Sequence, residues 1–458
     1  MKTLNVDAVV IGAGTAGANA FHILKAAGAK VLLVDRGPLG TTCARVGCMP
    51  SKAALHAAAR WSIGRDLAID AAHLAHTPDD MWREARDMRD TLAKGAAQRT
   101  IKAAAENLLM GEARFLSPNT LLVDGAQIQA RAFVVCTGSR PVIPAALLSL
   151  GDRLITTDSL FELEALPSRI GVLGMGAIGL EMGVALARLG ITVVGADQRE
   201  AVGGAEDPCV QARAQAHFGA LFPLWLGGVV QADADGDKVR LVQGGRQTTV
   251  DRLLVAAGRQ PNFEALDLPA AGIDLDEHNR PRIAPRTLEA GPENILFAGD
   301  VYAERPLMHE AADEGAAAGK AALALLGKGP AATLKRRTAM SIVFTDPDLC
   351  AVGLSYRQAV ERRAIVGEAE GSSNGRSRIL AAQNNLVRIY ADPSSGRLLG
   401  ASLFATHGEH LAHQLAWAAH AGQTINDLLA APFYHPSVEE MLQSALKDAH
   451  RQLPEETC

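Results

Sequence analysis

The stretch VDAVVIGAGTAG, residues 6–17, decides how the rest of this chain is read. Strand-like residues run into three glycines in the pattern G-x-G-x-x-G. The pattern predicts a buried strand, a tight turn and a helix from Ala18 to about Ala27. A second strand, KVLLVD (30–35), follows and ends in an acid, Asp35. In such a βαβ unit each glycine has its own task. Gly12 permits the tight turn. Gly14 lets an anion approach the backbone and the helix N-terminus, and Gly17 lets helix and strand touch. Asp35 is placed to accept hydrogen bonds from a ribose diol. Glycine turns before helices also occur in ordinary α/β proteins, so it is the strand, the helix and the acid together that carry the reading.

The unit occurs twice. RIGVLG (169–174) runs into GMGAIG (174–179), then a helix, LEMGVALARLG, and the strand ITVVGAD (191–197). Gly174, Gly176 and Gly179 repeat the first spacing, so the chain is expected to bind two dinucleotides. On this reading Gly195 occupies the point where the second acid is expected, with Asp197 two residues on and Arg199 beyond. An acid there favours NAD and a base favours the 2′-phosphate of NADP, so the choice stays open. Each half also has a later strand closing on a glycine turn, FVVCTGSRP (133–141) and LLVAAGRQPN (253–262). The segments RPVIP and RQPN read as domain crossings.

The chain has 458 residues, enough for about three domains at ~100–200 residues each. Hydrophobic residues make up 48% and charged residues 21%, a globular composition. A net charge of −5 gives no reason to expect a nucleic-acid partner. No apolar run is long enough to span a bilayer, and no export signal is evident, so the expected location is the cytoplasm. Residues 52–110 read as a helical excursion. GEARFLSP and NTLLVDGAQIQA read as a β meander, and ENILFAGD (293–300) as a further buried strand with a glycine turn. From about residue 336 the pattern becomes that of an antiparallel α+β domain.

Six cysteines are present, at 43, 48, 136, 209, 350 and 458. Only Cys43 and Cys48, in GTTCARVGCMPSK (40–52), lie close together. They could be a metal pair, two unrelated structural thiols or a redox disulfide. A zinc site needs a second ligand pair, and none is visible. A disulfide makes a geometric demand. Residues five apart in a regular helix have Cα atoms about 8–9 Å apart, from the helix rise and radius. A disulfide needs less than ~7 Å. The backbone must therefore leave the helix between them, and Gly47 is expected to permit it. Pro50 and Ser51 are expected to start a helix. A helix N-terminus or Lys52 would favour a thiolate at one sulfur, as exchange chemistry requires.

GAGTAG, TTCARVGCMPSK, CTGS, GMGAIGLE, AAGRQPN, FAGD and FYHPSVEE follow one another along nearly the whole chain. In this order they resemble the FAD-dependent pyridine nucleotide–disulfide oxidoreductases. The resemblance implies an α/β fold with two Rossmann-like dinucleotide-binding domains plus a C-terminal α+β dimerisation domain. The expected boundaries are 1–150 for FAD, 151–268 for NAD(P), 269–335 for a segment completing the FAD domain, and 336–458 for the interface. It also implies that Gly12, Gly14, Gly17, Asp35, Thr42, Gly138 and Asp300 hold FAD, with Asp300 on the ribityl chain. Gly174, Gly176, Gly179 and Gly258 would bind NAD, with NADP not excluded. Cys43 and Cys48 would form the redox disulfide, with Cys43 meeting the substrate and Cys48 against the flavin ring. Lys52 would pair with Glu181 near that ring. His435 and Glu440 would come from the partner copy of a homodimer.

Thiol exchange needs a group that takes and returns a proton near neutral pH, and histidine suits that task. Glu440 can fold back onto His435 and fix its tautomer. The expected substrate is a small dithiol or disulfide. The leading expectation is dihydrolipoamide oxidised with NAD⁺, free or carried on the lipoyl domain of a 2-oxoacid dehydrogenase complex. Reduction of another small disulfide, such as glutathione, or of mercuric ion, is the alternative within the enzymes. A catalytically idle binding subunit is the alternative outside them. Ala177 stands where many members carry a tyrosine over the nicotinamide pocket. The chain has a lone Cys458 at its end where mercuric reductases have a cysteine pair. Cys136 reads as a small buried residue, and His407, His410, His413 and His420 as surface or interface residues. No metal site is expected.

Overall fold

A computed structural model describes residues 3–67 and 76–454. Cys458 lies outside the described residues. The chain divides into two units. One comprises Met1–Pro50, Ala85–Val142 and Gly258–Arg336; the other comprises Ser51–Glu84, Ile143–Ala257 and Arg337–Cys458.

The first unit is built on a five-stranded parallel sheet. Its order is Ile295–Phe297, Ala132–Val135, Ala8–Ile11, Val31–Asp35, Leu108–Met110. The central strand AVVI is buried at all four positions. Such continuous burial is what a parallel strand covered on both faces requires, and it explains why this segment does not alternate. One face carries the helices Thr15–Ala26 and Met308–Leu325. These two helices meet at small residues. A Cβ on Gly315 would overlap the carbonyl of Ala16, and one on Gly319 would lie 3.0 Å from the Ala20 Cα. The other face carries a meander of Ala113–Ser117, Thr120–Val123 and Ala126–Gln129, joined in parallel by Thr3–Asn5. Phe115 and Phe133 meet edge to face there, with centroids 5.2 Å apart.

The second unit repeats the scheme. Its parallel sheet has the order Leu154–Ile155, Arg252–Val255, Arg169–Leu173, Thr192–Ala196, Leu224–Trp225. A three-stranded antiparallel ribbon from Gln231 to Val250 lies on it. The repetition extends to single contacts. A Cβ on Gly17 would overlap the Gly12 carbonyl, and one on Gly179 would overlap that of Gly174. Gly12 rests on the Cys136 carbonyl as Gly174 rests on that of Ala256. Cys136 is thus a buried packing residue beneath the first turn, the counterpart of Ala256 beneath the second.

The same unit contains a five-stranded antiparallel sheet, ordered Met340–Val343, Asp348–Gly353, Leu398–Ala405, Leu386–Ala391, Ile365–Glu370. Helices Gly408–Ala421 and Glu440–His450 pack on it. The latter buries Met441, Leu442, Ala445, Leu446 and Ala449, a stripe with helical period. Asp207 is fully buried. It caps the helix Pro208–Leu221 through Cys209 N and Val210 N, and it accepts from Arg388 Nε at 2.8 Å and Tyr390 Oη at 2.7 Å.

The two Pro-containing crossings are paired strands, Ser139–Pro141 against Arg259–Pro261, and the unit boundaries fall beside them at Val142 and Gly258. Arg140 grips Glu264 with two hydrogen bonds of 2.7 and 3.0 Å, which hold the Glu264 carboxyl down at about 2.

Candidate active site

The first glycine turn presents an uncapped helix. Gly14 is its N-cap and no side chain bonds to the free N–H groups of the first turn. A Cβ at Gly14 would meet nothing within 4 Å, whereas Gly12 and Gly17 admit none. The turn is therefore packed tight on its inner side and open on the outer side, where the helix dipole favours a phosphate. Asp35 fixes it, accepting from Ala13 N at 2.7 Å and Gly37 N at 2.6 Å with one oxygen each. Each oxygen retains a lone pair for a sugar hydroxyl.

The strand Ile295–Phe297 delivers the next turn, Gly299–Asp300, to the same unit. Gly299 has φ +82° and backs onto the Ala16 Cβ. Its N–H donates to Glu314 Oε2 at 2.7 Å, and Arg336 donates to Glu314 Oε1 at 2.8 Å. Burial raises the Glu314 carboxyl above its usual range despite these partners. Asp300 accepts from Ser139 Oγ at 2.8 Å.

Cys43 lies in a single helical turn, Thr42–Arg45, whose cap Thr41 accepts from Ala44 N and adopts φ +58°. Helical geometry lapses at Val46, with φ −141° and ψ 10°, and a long helix Cys48–Asp66 begins. This start lies two residues before the expected one. Pro50 is tolerated in the first turn because its missing N–H has no intrahelical partner to lose. Gly47 does not use a positive φ. It is needed for closeness, because a Cβ there would stand 3.1 Å from both the Cys43 Cα and the Thr42 carbonyl oxygen. Cys43 is half-buried and Cys48 exposed. The Cys43 thiol is pushed far above the usual range, first by its hydrogen bond with Cys48 and then by burial.

In the second unit Lys52 Nζ reaches both oxygens of Glu181 at 2.8 Å and lies 4.5 Å from the Phe344 ring centroid. Glu181 is buried on the second glycine helix and also accepts from Phe344 N at 3.0 Å. Gly176, like Gly14, is an uncapped N-cap with open space around it. Ala177 is exposed.

Asp197 corrects the reading of the second strand. Its oxygens accept from Met175 N at 2.7 Å and Arg199 N at 2.8 Å, the pattern of Asp35. Ile11 pairs with Val34 just as Leu173 pairs with Ala196, so the residues that follow, Asp35 and Asp197, are equivalent. Gly195 is not the acid's position. It is glycine because a Cβ there would lie 2.5 Å from the Met175 sulfur and 3.0 Å from Phe222. The equal separation of Gly12 from Asp35 and Gly174 from Asp197 carried this signal in the sequence.

His435 Nδ1 lies 3.0 Å from Glu440 Oε1, and Glu440 Oε2 accepts from Ser437 N at 3.0 Å. The hydrogen bond with His435, before all else, keeps the Glu440 carboxyl below its usual range. The imidazole is largely exposed. Of the other histidines, His407 and His410 lie with tilted rings, centroids 6.2 Å apart, and His413 bonds to the Glu409 carbonyl. Among the described residues no three His, Cys, Asp or Glu side chains are grouped to hold a metal, and no helix is long and apolar enough to cross a membrane.

Residues 6–315 match the family model described as pyridine nucleotide-disulphide oxidoreductase, and residues 339–446 match its dimerisation domain. The chain belongs to this family. It is a flavoprotein disulfide oxidoreductase of the class that uses FAD and NAD(P). Among the oxidoreductases it resembles is a dihydrolipoyl dehydrogenase of Thermus scotoductus, 31% identical over 99% of this chain and 98% of the relative. A mercuric reductase of Bacillus cereus is 26% identical over 99% of this chain and 73% of its own. The HOCl-induced flavoprotein disulfide reductase RclA from Escherichia coli has a solved structure with TM-score 0.83 and 25% identity, covering 96% of this chain and 99% of that one. The two open, uncapped glycine turns, each with its acid, fit the two nucleotides this family uses, and Asp300 with one oxygen engaged fits a polyol.

Proposed function

We propose that this oxidoreductase oxidises dihydrolipoamide with NAD⁺ through a reversible disulfide between Cys43 and Cys48. The observation that carries the reading is the cysteine pair itself, Cys43 in one helical turn and Cys48 opening the next helix, across a break in helical structure where Gly47 lets the two segments approach closely. The relative from Thermus scotoductus favours the dithiol as substrate. Asp197, at the ribose position of the second glycine unit, favours NAD over NADP.

The residues divide the work. Gly12, Gly14, Gly17, Asp35, Thr42, Gly138 and Asp300 bind FAD in residues 1–150 and 269–335. Gly174, Gly176, Gly179, Asp197 and Gly258 bind NAD around residues 151–268. When bound, FAD supplies the two-electron chemistry between the cysteine dithiol and the nicotinamide nucleotide. Residues 336–458 pair two copies, and each lends His435 and Glu440 to the other's disulfide. His435 takes the proton of a substrate thiol while Glu440 holds its Nδ1. The substrate thiolate attacks Cys43 Sγ, and the bond to Cys48 breaks. The second substrate thiol then displaces Cys43, so the substrate leaves as a disulfide and both cysteines are reduced. Cys48 opens the helix Cys48–Asp66, where the free N–H groups favour a thiolate, while Cys43 keeps its proton. Lys52, one turn on, supplies a fixed positive charge. We place the enzyme in the cytoplasm.

The test is an assay of purified protein with dihydrolipoamide and NAD⁺ or NADP⁺, beside oxidised glutathione with NADH or NADPH. Turnover with dihydrolipoamide and NAD⁺ that is lost in Cys43→Ser, and reduced about 10²-fold or more in His435→Ala, is expected. Rapid glutathione reduction without dihydrolipoamide turnover overturns the reading. The mercuric reductase match makes mercuric ion the second substrate to assay.

A further inference from the structure

We propose that Arg259 is a positioning residue for the flavin, acting on Asp300 through the hydroxyl of Ser139. This rests on the reading of Asp300 as the FAD ribityl ligand. Arg259 follows the glycine turn at Gly258, on the strand by which the chain returns to the first unit. Ser139 lies on the strand by which it leaves, and the two strands pair antiparallel. Arg259 Nε donates to Ser139 Oγ at 2.8 Å and Arg259 Nη2 to the Ser139 carbonyl at 2.7 Å. Ser139 Oγ donates to Asp300 Oδ2 at 2.8 Å.

The chemistry of the three groups sets the direction of this chain. A guanidinium has donors and no acceptor, whereas a serine hydroxyl has one proton and two lone pairs. With Arg259 donating into its oxygen, the hydroxyl must turn its proton to Asp300. The forked grip on both Oγ and the carbonyl fixes the side chain as well as the strand, and Ser139 is 8% exposed, so water does not compete. Asp300 is then held at Oδ2 while Oδ1 remains for a sugar hydroxyl. The backbone of its turn is held separately, by Gly299 N on Glu314. Arg259 itself has no need to touch the cofactor. It specifies which oxygen of Asp300 is spent on protein and which is offered to ligand, and it does so from the strand that closes the nicotinamide-nucleotide segment.

The experiment measures FAD affinity of the apoprotein by flavin fluorescence, and the flavin midpoint potential of the reconstituted protein. The variants are Asp300→Ala, Ser139→Ala, Arg259→Met and the Ser139→Ala/Arg259→Met double. Ser139→Ala and Arg259→Met are each expected to weaken FAD about tenfold or more, as for a lost hydrogen bond to a charged group. Both are expected to shift the potential in the same direction. Because Arg259 acts through the hydroxyl, the double variant should bind FAD no more weakly than Ser139→Ala alone. Losses that multiply in the double variant overturn the relay, as does normal FAD affinity in both single variants while Asp300→Ala is impaired. If Asp300→Ala binds FAD normally, the assignment of Asp300 falls and the relay falls with it. Arg259→Lys keeps the charge without the fork. It should lie between wild type and Arg259→Met, and it serves if Arg259→Met does not fold.

Discussion

Asp197 holds the amide of Met175 at 2.7 Å, tying the end of one strand to the glycine turn of its neighbour. The bond fixes a carboxylate beside the mouth of the second nucleotide turn, where Asp35 stands in the first. A carboxylate accepts from a 2′-hydroxyl and repels a 2′-phosphate. The enzyme is therefore expected to prefer NADH to NADPH in kcat/KM. Asp197→Ser should lower kcat/KM with NADH about tenfold or more and narrow the ratio between the two nucleotides. Steady-state kinetics with both checks this. A wild-type preference for NADPH contradicts it.

Glu181 is buried and has Lys52 as its ionic partner. Removing one member of a buried pair strands the other charge, at a cost of about 3–5 kcal/mol, while removing both often costs little. Lys52→Met should therefore unfold at clearly lower urea concentration than wild type, and Lys52→Met/Glu181→Gln should recover most of the loss. Equilibrium unfolding of the three proteins decides it. No recovery in the double variant would show that the loss does not come from stranding the Glu181 charge.

A Cβ on Gly47 would stand only 3.1 Å from the Cys43 Cα. Alanine there must push the two cysteine-bearing segments apart by a few tenths of an ångström. A disulfide tolerates little misplacement. Gly47→Ala is expected to leave the far-ultraviolet spectrum unchanged while lowering dithiol oxidation at least tenfold. Thiol counts before and after anaerobic reduction should show a smaller fraction of the Cys43–Cys48 bond. Wild-type counts and rates would remove the steric argument.

Asp348 is buried beneath the helix Gly408–Ala421 and accepts from Glu409 N at 3.1 Å. Burial first, then the nearby Glu409, Asp346 and Glu181 carboxylates, push its carboxyl from 3.8 up to about 7. Between these values the folded protein holds a proton that the unfolded chain has released. The stabilisation is complete below about pH 4 and is lost as pH rises through about 7. Asp348→Asn carries no such charge. Its stability relative to wild type should rise by about 4 kcal/mol from pH 4 to pH 8. Parallel melting or urea curves across that range measure the difference, and a constant offset would contradict the raised carboxyl.

Much of the architecture was legible because it repeats short-range rules. Both glycine fingerprints, the strands beside them and the meander are local patterns whose side chains dictate their own backbone. The need for a helix break between Cys43 and Cys48 also followed from chain geometry alone. Its cause did not. Gly47 is required by the approach of Cys43 and Thr42, a crowding that exists only once the chain has folded. The register of Asp197 was missed for a related reason. The eye counts along the strand ITVVGAD, whereas the sheet counts across it, and the pairing of Leu173 with Ala196 sets the position of the acid.

From the sequence by itself came the residue types and their spacing: two glycine turns, a cysteine pair, a histidine with an acid five residues on. These are properties of covalent geometry and local steric preference, so one dimension suffices. Only the tertiary structure decided the partners. Glu181 meets Lys52 and Phe344, Asp300 meets Ser139, and Arg259 stands behind Ser139, across separations of 120 to 163 residues. Hydrogen bonds reach about 3 Å and buried charges must be matched locally, so which distant residue fills that shell depends on how the sheets and crossings stack.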